Sequence, residues 1–160
     1  MPTQIEQIDE LTREAVKEVF QSMLSMEVNP EAPTPLRQDT GGQIIGSVGF
    51  IGEATGIVYL YANVSFAKVL TSRMLGISVA EVDADDMVTD AVGEISNMVV
   101  GYVKSRLCDR GMHCTLTIPS VVRGQELKVE GSNQVIRRVI GFRNCQDHLL
   151  AEVLLKNSEE

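Results

Sequence analysis

The chain contains no tryptophan, and only three tyrosines and four phenylalanines, so its core has to be built from Val, Ile, Leu and Met rather than from large rings. Cysteine is nearly as scarce. Cys108, Cys114 and Cys145 are an odd number without metal-ligand spacing, and only His113 and His148 accompany them. Neither a disulfide framework nor a structural metal site is expected from that set, and a reducing, cytoplasmic compartment fits it. His113 precedes Cys114 directly, and neighbours on a strand point to opposite faces, a poor geometry for shared ligation. Basic excess is missing too: 14 Lys and Arg stand against 22 Asp and Glu, for a net charge of −8. A general nucleic-acid binder needs a basic stripe to displace counterions, so that class is set aside. No apolar run approaches the roughly 20 residues that span a bilayer. The opening MPTQIEQIDEL also lacks the basic-then-apolar order of a secretion signal.

What is present is an ordinary globular composition, with 160 residues of which 44% are hydrophobic and 22% charged, enough for one domain over 1–160 with a sizeable core. From about Gln4 to Met26, Ile8, Leu11, Ala15, Val16, Val19, Phe20 and Met23 recur at helical spacing, and NPEAPTP (29–35) stops the helix. Gln43 to Ile51 and Gly56 to Ala62 read as two strands of a hairpin. A helix follows from about Ser65 to Leu75, capped by Asn63 or Ser65 and ended by Gly76. The longest helix runs from about Asp85 to Arg110 and is closed by Gly111. Beyond it, His113 to Ile118, Val121 to Val129, Gln134 to Arg143 and Leu149 to Lys156 are β-prone runs, with turn signals such as EGSN and NCQD between the later ones. The expected fold is α+β, an antiparallel or mixed sheet covered by helices.

One internal echo stands out. EAVKEVFQS (Glu14 to Ser22) lies over DAVGEISNM (Asp90 to Met98) without gaps, with Ala, Val and Glu identical at three positions. Each copy is a helix followed by β-rich sequence, so a duplicated α-β-β unit is one reading; two amphipathic helices of similar composition is the other.

On the long helix, at about 100° per residue, Val88, Ala91, Val92, Ile95, Met98, Val99 and Tyr102 gather on a core face. Opposite them lie Asp86, Asp90, Glu94, Asn97, Gly101 and Lys104, with Gly93 alongside. Asp90, Glu94 and Asn97 are neighbours because positions three and four apart meet on a helix surface. Glycines inside a helix each cost about 1 kcal/mol relative to Ala, so Gly93 and Gly101 are expected where something large comes close. A hydrophilic face with incidental glycines is the plainer alternative.

The spacing Asp90-x-x-x-Glu94-x-x-Asn97, followed by Pro119, resembles the signature of the CheC/CheX/FliY chemotaxis phosphatases. The order of elements is most similar to the CheX branch, over nearly the whole chain. The resemblance implies hydrolysis of the phospho-aspartate of a CheY-like response regulator. The asparagine matching Asn97 would orient the attacking water, and the glutamate matching Glu94 would pair with a lysine of the regulator. Asp90, Gly93 and Gly101 would belong to the docking face. Mg2+ would be held by the regulator, with no metal or cofactor on this chain. A carboxamide suits the water-orienting task, since it donates and accepts hydrogen bonds without placing charge beside an anionic phosphoryl group. The resemblance also implies a homodimer joined through its sheets.

In the first copy Glu18 and Gln21 stand where Glu94 and Asn97 stand in the second, with Lys17 for Gly93 and Phe20 for Ser96. The added bulk is expected to obstruct close approach, which leaves that copy a structural role. Pro119 has an alternative reading as a strand-edge residue. Two other functions stand beside the phosphatase: a module that binds a response regulator without hydrolysis, and a flagellar-switch component. The second is disfavoured because no C-terminal switch domain is expected after the last strand.

Overall fold

Thr3 starts the first helix. Its side chain accepts the Glu6 N–H at 3.3 Å while its own N–H donates to Glu6 Oε2 at 2.8 Å, a reciprocal cap that satisfies two of the free helix-start donors. In the computed structural model, which describes residues 1–37 and 40–157, this helix is α1 (Gln4–Leu24). It buries Ile8, Leu11, Ala15, Val16, Val19, Phe20 and Leu24, whereas Met23, expected on the core face, is 51% exposed. Short strand β1 (Asn29–Glu31), hairpin β2 (Gln43–Gly52) and β3 (Gly56–Asn63), and helix α2 (Val64–Leu75) follow. After a 3-10 turn at Val79–Glu81 comes the long helix α3 (Asp85–Asp109). Strands β4 (Cys114–Leu116), β5 (Ser120–Gly124), β6 (Val135–Asn144) and β7 (Asp147–Lys156) complete the described elements.

All strands join one antiparallel sheet of order β1-β6-β7-β3-β2-β4, with β5 also on the outer edge of β2. The fold is thus α+β as expected, and the open choice of antiparallel or mixed resolves to antiparallel. Hairpins β2–β3 and β6–β7 meet at the β3–β7 pair. Each half consists of a helix, a short edge element and a hairpin, and the parts cross over. α1 packs on β6 and β7 while α3 packs chiefly on β2; β1 borders β6 while β4 and β5 border β2. The strand order therefore runs alike from either outer edge to the β3–β7 pair, and the α-β-β unit that the sequence left open corresponds to a helix, an edge strand and a hairpin in each half.

Two β-prone runs are shorter than their sequence pattern. β4 and β5 form one edge line along β2, interrupted at Ile118 and Pro119 after Thr117, whose N–H still donates to Gly49 O at 2.9 Å. Proline has no N–H for the ladder, so the line breaks there. β5 ends at Gly124, well before Val129. β1, by contrast, lies inside the proline-rich stretch read as a helix stop. An edge strand tolerates Pro30 because its outer side needs no donor.

α3 sits close on the sheet because Gly46 on β2 has no side chain. A Cβ there would collide with Ser96 Oγ and lie 2.9 Å from Val92 Cγ1. Ser96 is buried, and its hydroxyl is satisfied by donating to Val92 O at 2.8 Å.

Candidate active site

The buried surface of α3 is wider than a single core face. Val88, Ala91, Val92, Ile95 and Val99 are buried as expected, but so are Gly93, Ser96, Val100, Val103 and Leu107, while Met98 and Tyr102 are only half-buried. The helix is packed on three sides: by α1 and α2, by the sheet, and by the β4–β5 edge. Arg123 of β5 pairs with Asp85 at the start of α3, Nη1 to Oδ1 2.9 Å. What remains open is a narrow stripe running the length of the helix.

On that stripe Asp90 and Glu94 are exposed and Asn97 is half-buried. Among the described residues, none of the three side chains forms a hydrogen bond or ion pair. Asn97 therefore keeps its donors and acceptor uncommitted, held on a stem that is partly packed. Gly101 is half-buried, and a Cβ built on it would meet nothing within 4 Å. Gly93 is the exception among the five expected residues, and its expected place on the open face is corrected. It is buried under the chain's own β4–β5 edge, where an added Cβ would lie 3.5 Å from Val121 Cγ2 and 3.9 Å from Pro119 Cβ. These are ordinary van der Waals distances, so the edge packs over Gly93 without requiring a glycine there, and Pro119 is both the strand break and the side wall of the stripe.

The first copy differs from its expectation in one physical detail. Phe20 is fully buried, as is Ser96 in the second copy, so its bulk fills the core and obstructs nothing outside. Glu18 and Gln21 are exposed beside Lys17, bordering an open groove of about 410 Å³ that Tyr102 also lines. What separates the two copies on the surface is Lys17 in place of Gly93 and the longer Gln21 in place of Asn97.

Sequence reasoning missed three polar clusters, each assembled from separate elements. Glu31 binds His148 Nδ1 at 2.7 Å and Arg143 Nε at 2.8 Å. These two partners, His148 first, hold the Glu31 carboxyl below the usual glutamate range. Buried Glu152 accepts from Tyr61 at 2.9 Å and pairs with Arg137; burial and the adjacent carboxylate push the Tyr61 phenol strongly up. Cys108 Sγ lies 3.2 Å from His113 Nδ1. Among the described residues no group of three His, Cys, Asp or Glu side chains could hold a metal ion.

A stripe with a free carboxylate one turn from a free carboxamide can receive a cation at one point and position a water at the other. The model of the family "Chemotaxis phosphatase CheX" matches residues 44–143. CheY-P phosphatase CheX of Thermotoga maritima is 24% identical over 135 residues, covering 83% of this chain and 86% of that protein. The crystal structure of chemotaxis protein CheX from Vibrio vulnificus is similar at a TM-score of 0.82 and 22% identity, covering 97% of this chain and 100% of that one. The CheX of the CheX–CheY–BeF3–Mg2+ complex from Borrelia burgdorferi gives a TM-score of 0.77 at 17% identity, covering 93% of this chain and 97% of that one. With its matched segment reaching from β2 to β6 and including the whole of α3, the chain belongs to the chemotaxis phosphatase CheX family.

Proposed function

We propose that this chain hydrolyses the phospho-aspartate of a CheY-like response regulator, with α3 laid against the regulator's active site. Asn97 orients the attacking water, Glu94 pairs with a lysine of the regulator, and Asp90 and Gly101 border the docking face. Water adds to phosphorus, the bond from phosphorus to the aspartyl oxygen breaks, and the products are phosphate and the free carboxylate. Such transfers depend on placing the water in line and on neutralising charge, and need little covalent chemistry from the catalyst. The Mg2+ that neutralises the phosphoryl group belongs to the regulator; the Borrelia burgdorferi complex, in which a CheX relative is held with CheY and Mg2+, supports that division of labour. The observation that carries the reading is the uncommitted Glu94–Asn97 pair on the open stripe of α3.

The test is phosphoryl release from a phosphorylated cognate regulator in the presence of Mg2+. Asn97→Ala is expected to slow release by about a hundredfold or more, as loss of a water-positioning group does, with the melting temperature unchanged. Release at the wild-type rate removes Asn97 from the mechanism. If wild-type protein binds the phosphorylated regulator and releases nothing, the chain is a binding module instead. We further propose that the protein acts in the cytoplasm as a homodimer; the exposed apolar Ile51, Ile57, Ile118 and Val122 along and beside the β2 edge support a second interaction surface.

A further inference from the structure

The stripe carries one charge that the proposed reaction does not use. Lys104 is half-buried beyond Asn97 on α3, and among the described residues its ammonium forms no hydrogen bond or ion pair. The arginines on and around α3 are committed. Arg106 stacks on the Tyr102 ring at 4.8 Å and donates to its hydroxyl at 3.3 Å. Arg110 donates to Gln7 Oε1 at 3.1 Å, and Arg123 holds Asp85. Lys104 does lie near the Cys114 thiol, but burial pushes that thiol up, so it stays neutral and offers no counter-charge.

The place of Lys104 fits the docking face. Asp90 precedes Asn97 by seven residues and Lys104 follows it by seven, so each lies about 10 Å along the axis and about 20° around it from Asn97. An interface of ordinary size is a patch roughly 30 Å across, and centred on Asn97 it includes both. Between Asn97 and Lys104 the stripe is bare. Gly101 sits there, and a Cβ built on it would meet nothing within 4 Å. The chain's own packing does not call for that glycine, which weakens the helix, whereas a partner segment crossing α3 gains close approach from it. The stripe is therefore polarised, with Asp90 and Glu94 on one side of Asn97, an open saddle at Gly101, and an unpaired ammonium on the other.

We propose that Lys104 is a specificity-determining residue of the docking face, pairing with a carboxylate that the regulator presents about 10 Å from its phosphoryl group, on the side opposite the lysine that Glu94 meets. This rests on the function proposed above and adds a direction to it. A regulator docked in the reverse sense would set like charges against each other at both ends of the stripe, which opposes both the wrong orientation and the wrong partner. A half-buried lysine has already lost part of its side-chain freedom, so pairing costs it less than it costs a fully exposed one.

The experiment measures phosphate release from the phosphorylated cognate regulator and, in parallel, the Kd for that regulator loaded with beryllofluoride and Mg2+. Lys104→Gln is expected to raise KM and Kd about tenfold and Lys104→Glu about a hundredfold, with kcat within about twofold of wild type and the melting temperature unchanged. The gap between wild type and Lys104→Glu is expected to shrink at about 1 M salt, and Lys104→Arg to stay within about threefold of wild type because the charge is kept. Arg106→Gln removes the same charge from the far side of the helix and is expected to leave KM unchanged. One Asp-to-Lys or Glu-to-Lys change near the regulator's active site is expected to restore binding to Lys104→Glu. Equal KM and Kd for wild type and Lys104→Glu, an equal loss in Arg106→Gln, or failure of every such regulator change to restore binding overturns the role of Lys104. A wild-type protein that binds the loaded regulator but releases no phosphate overturns the proposed function alone, and the Kd series still decides Lys104. One that neither binds nor releases overturns both.

Discussion

Glu94, Asn97 and Asp90 sit at spacings that any helix turns into one surface patch, which is why these three side chains could be found from sequence: the pattern is local, and α3 only had to be a helix. The separate roles proposed for them lead to separate outcomes. Glu94→Ala is expected to weaken regulator binding about tenfold, the magnitude of a single charge-assisted hydrogen bond across an interface, with folding stability within about 0.5 kcal/mol of wild type as for an unpartnered surface residue. A change in stability alone would remove the docking role. Asn97→Asp is a sharper probe than Ala, because it keeps the side chain's shape while removing both N–H donors and adding charge beside the phosphoryl group. It is expected to lose as much activity as Asn97→Ala, and retained activity would mean that only the acceptor oxygen matters. Glu18→Ala, on the exposed first copy, is expected to change phosphoryl release less than about twofold; a large loss would make α1 a second catalytic face. The sequence was misleading at Phe20 and Gly93, since a helical wheel shows direction but not which neighbour covers each side. The Cys108–His113 pair was invisible for a related reason: it forms only because the turn after α3 brings the two side chains together.

At the scale of elements, Gly46 sets how deeply α3 beds into the sheet. Gly46→Ala would press its methyl group into Ser96 and Val92, and overpacking of this kind costs about 1–3 kcal/mol. Urea denaturation is expected to show that loss, together with reduced phosphatase activity because α3, which carries the proposed site, shifts; wild-type stability would mean the helix gives way freely. β1 is held differently, by the Glu31 pair with His148 and Arg143. Because the folded carboxyl lies below its unfolded value of about 4.3, the folded state binds fewer protons in that range. Its contribution is present above that value and fades as pH falls through the lowered folded one. Glu31→Gln is therefore expected to flatten the acid limb of a stability–pH profile as pH falls below that unfolded value, and an unaltered acid limb would show the clasp contributes nothing. The three helices and two long hairpins were legible because their periodicities run for eight residues or more. The edge elements were not. β1 is three residues containing a proline, and β4 and β5 are one line broken at Pro119. Edges are short and interrupted because an open ladder invites unwanted pairing, and shortness is what leaves no period to read.

For the whole molecule, light scattering is expected to return twice the 17.5 kDa chain mass; a value of one chain mass removes the homodimer from the proposal. The repeated arrangement of the halves was only half legible, since the echo between Glu14–Ser22 and Asp90–Met98 marks the helices while the crossing of helices and edges between halves leaves no trace in sequence. That crossing also governs how the protein is made. β7, which follows every other element in the chain, pairs with β3 and β6 in the interior of the sheet. A polypeptide still on the ribosome can complete its first hairpin and all three helices yet has no strand to join the two halves of the sheet, so the edges of β3 and β6 wait open until Asp147–Lys156 emerges. A premature stop before Asp147 would accordingly not trim an edge but divide the sheet through its middle.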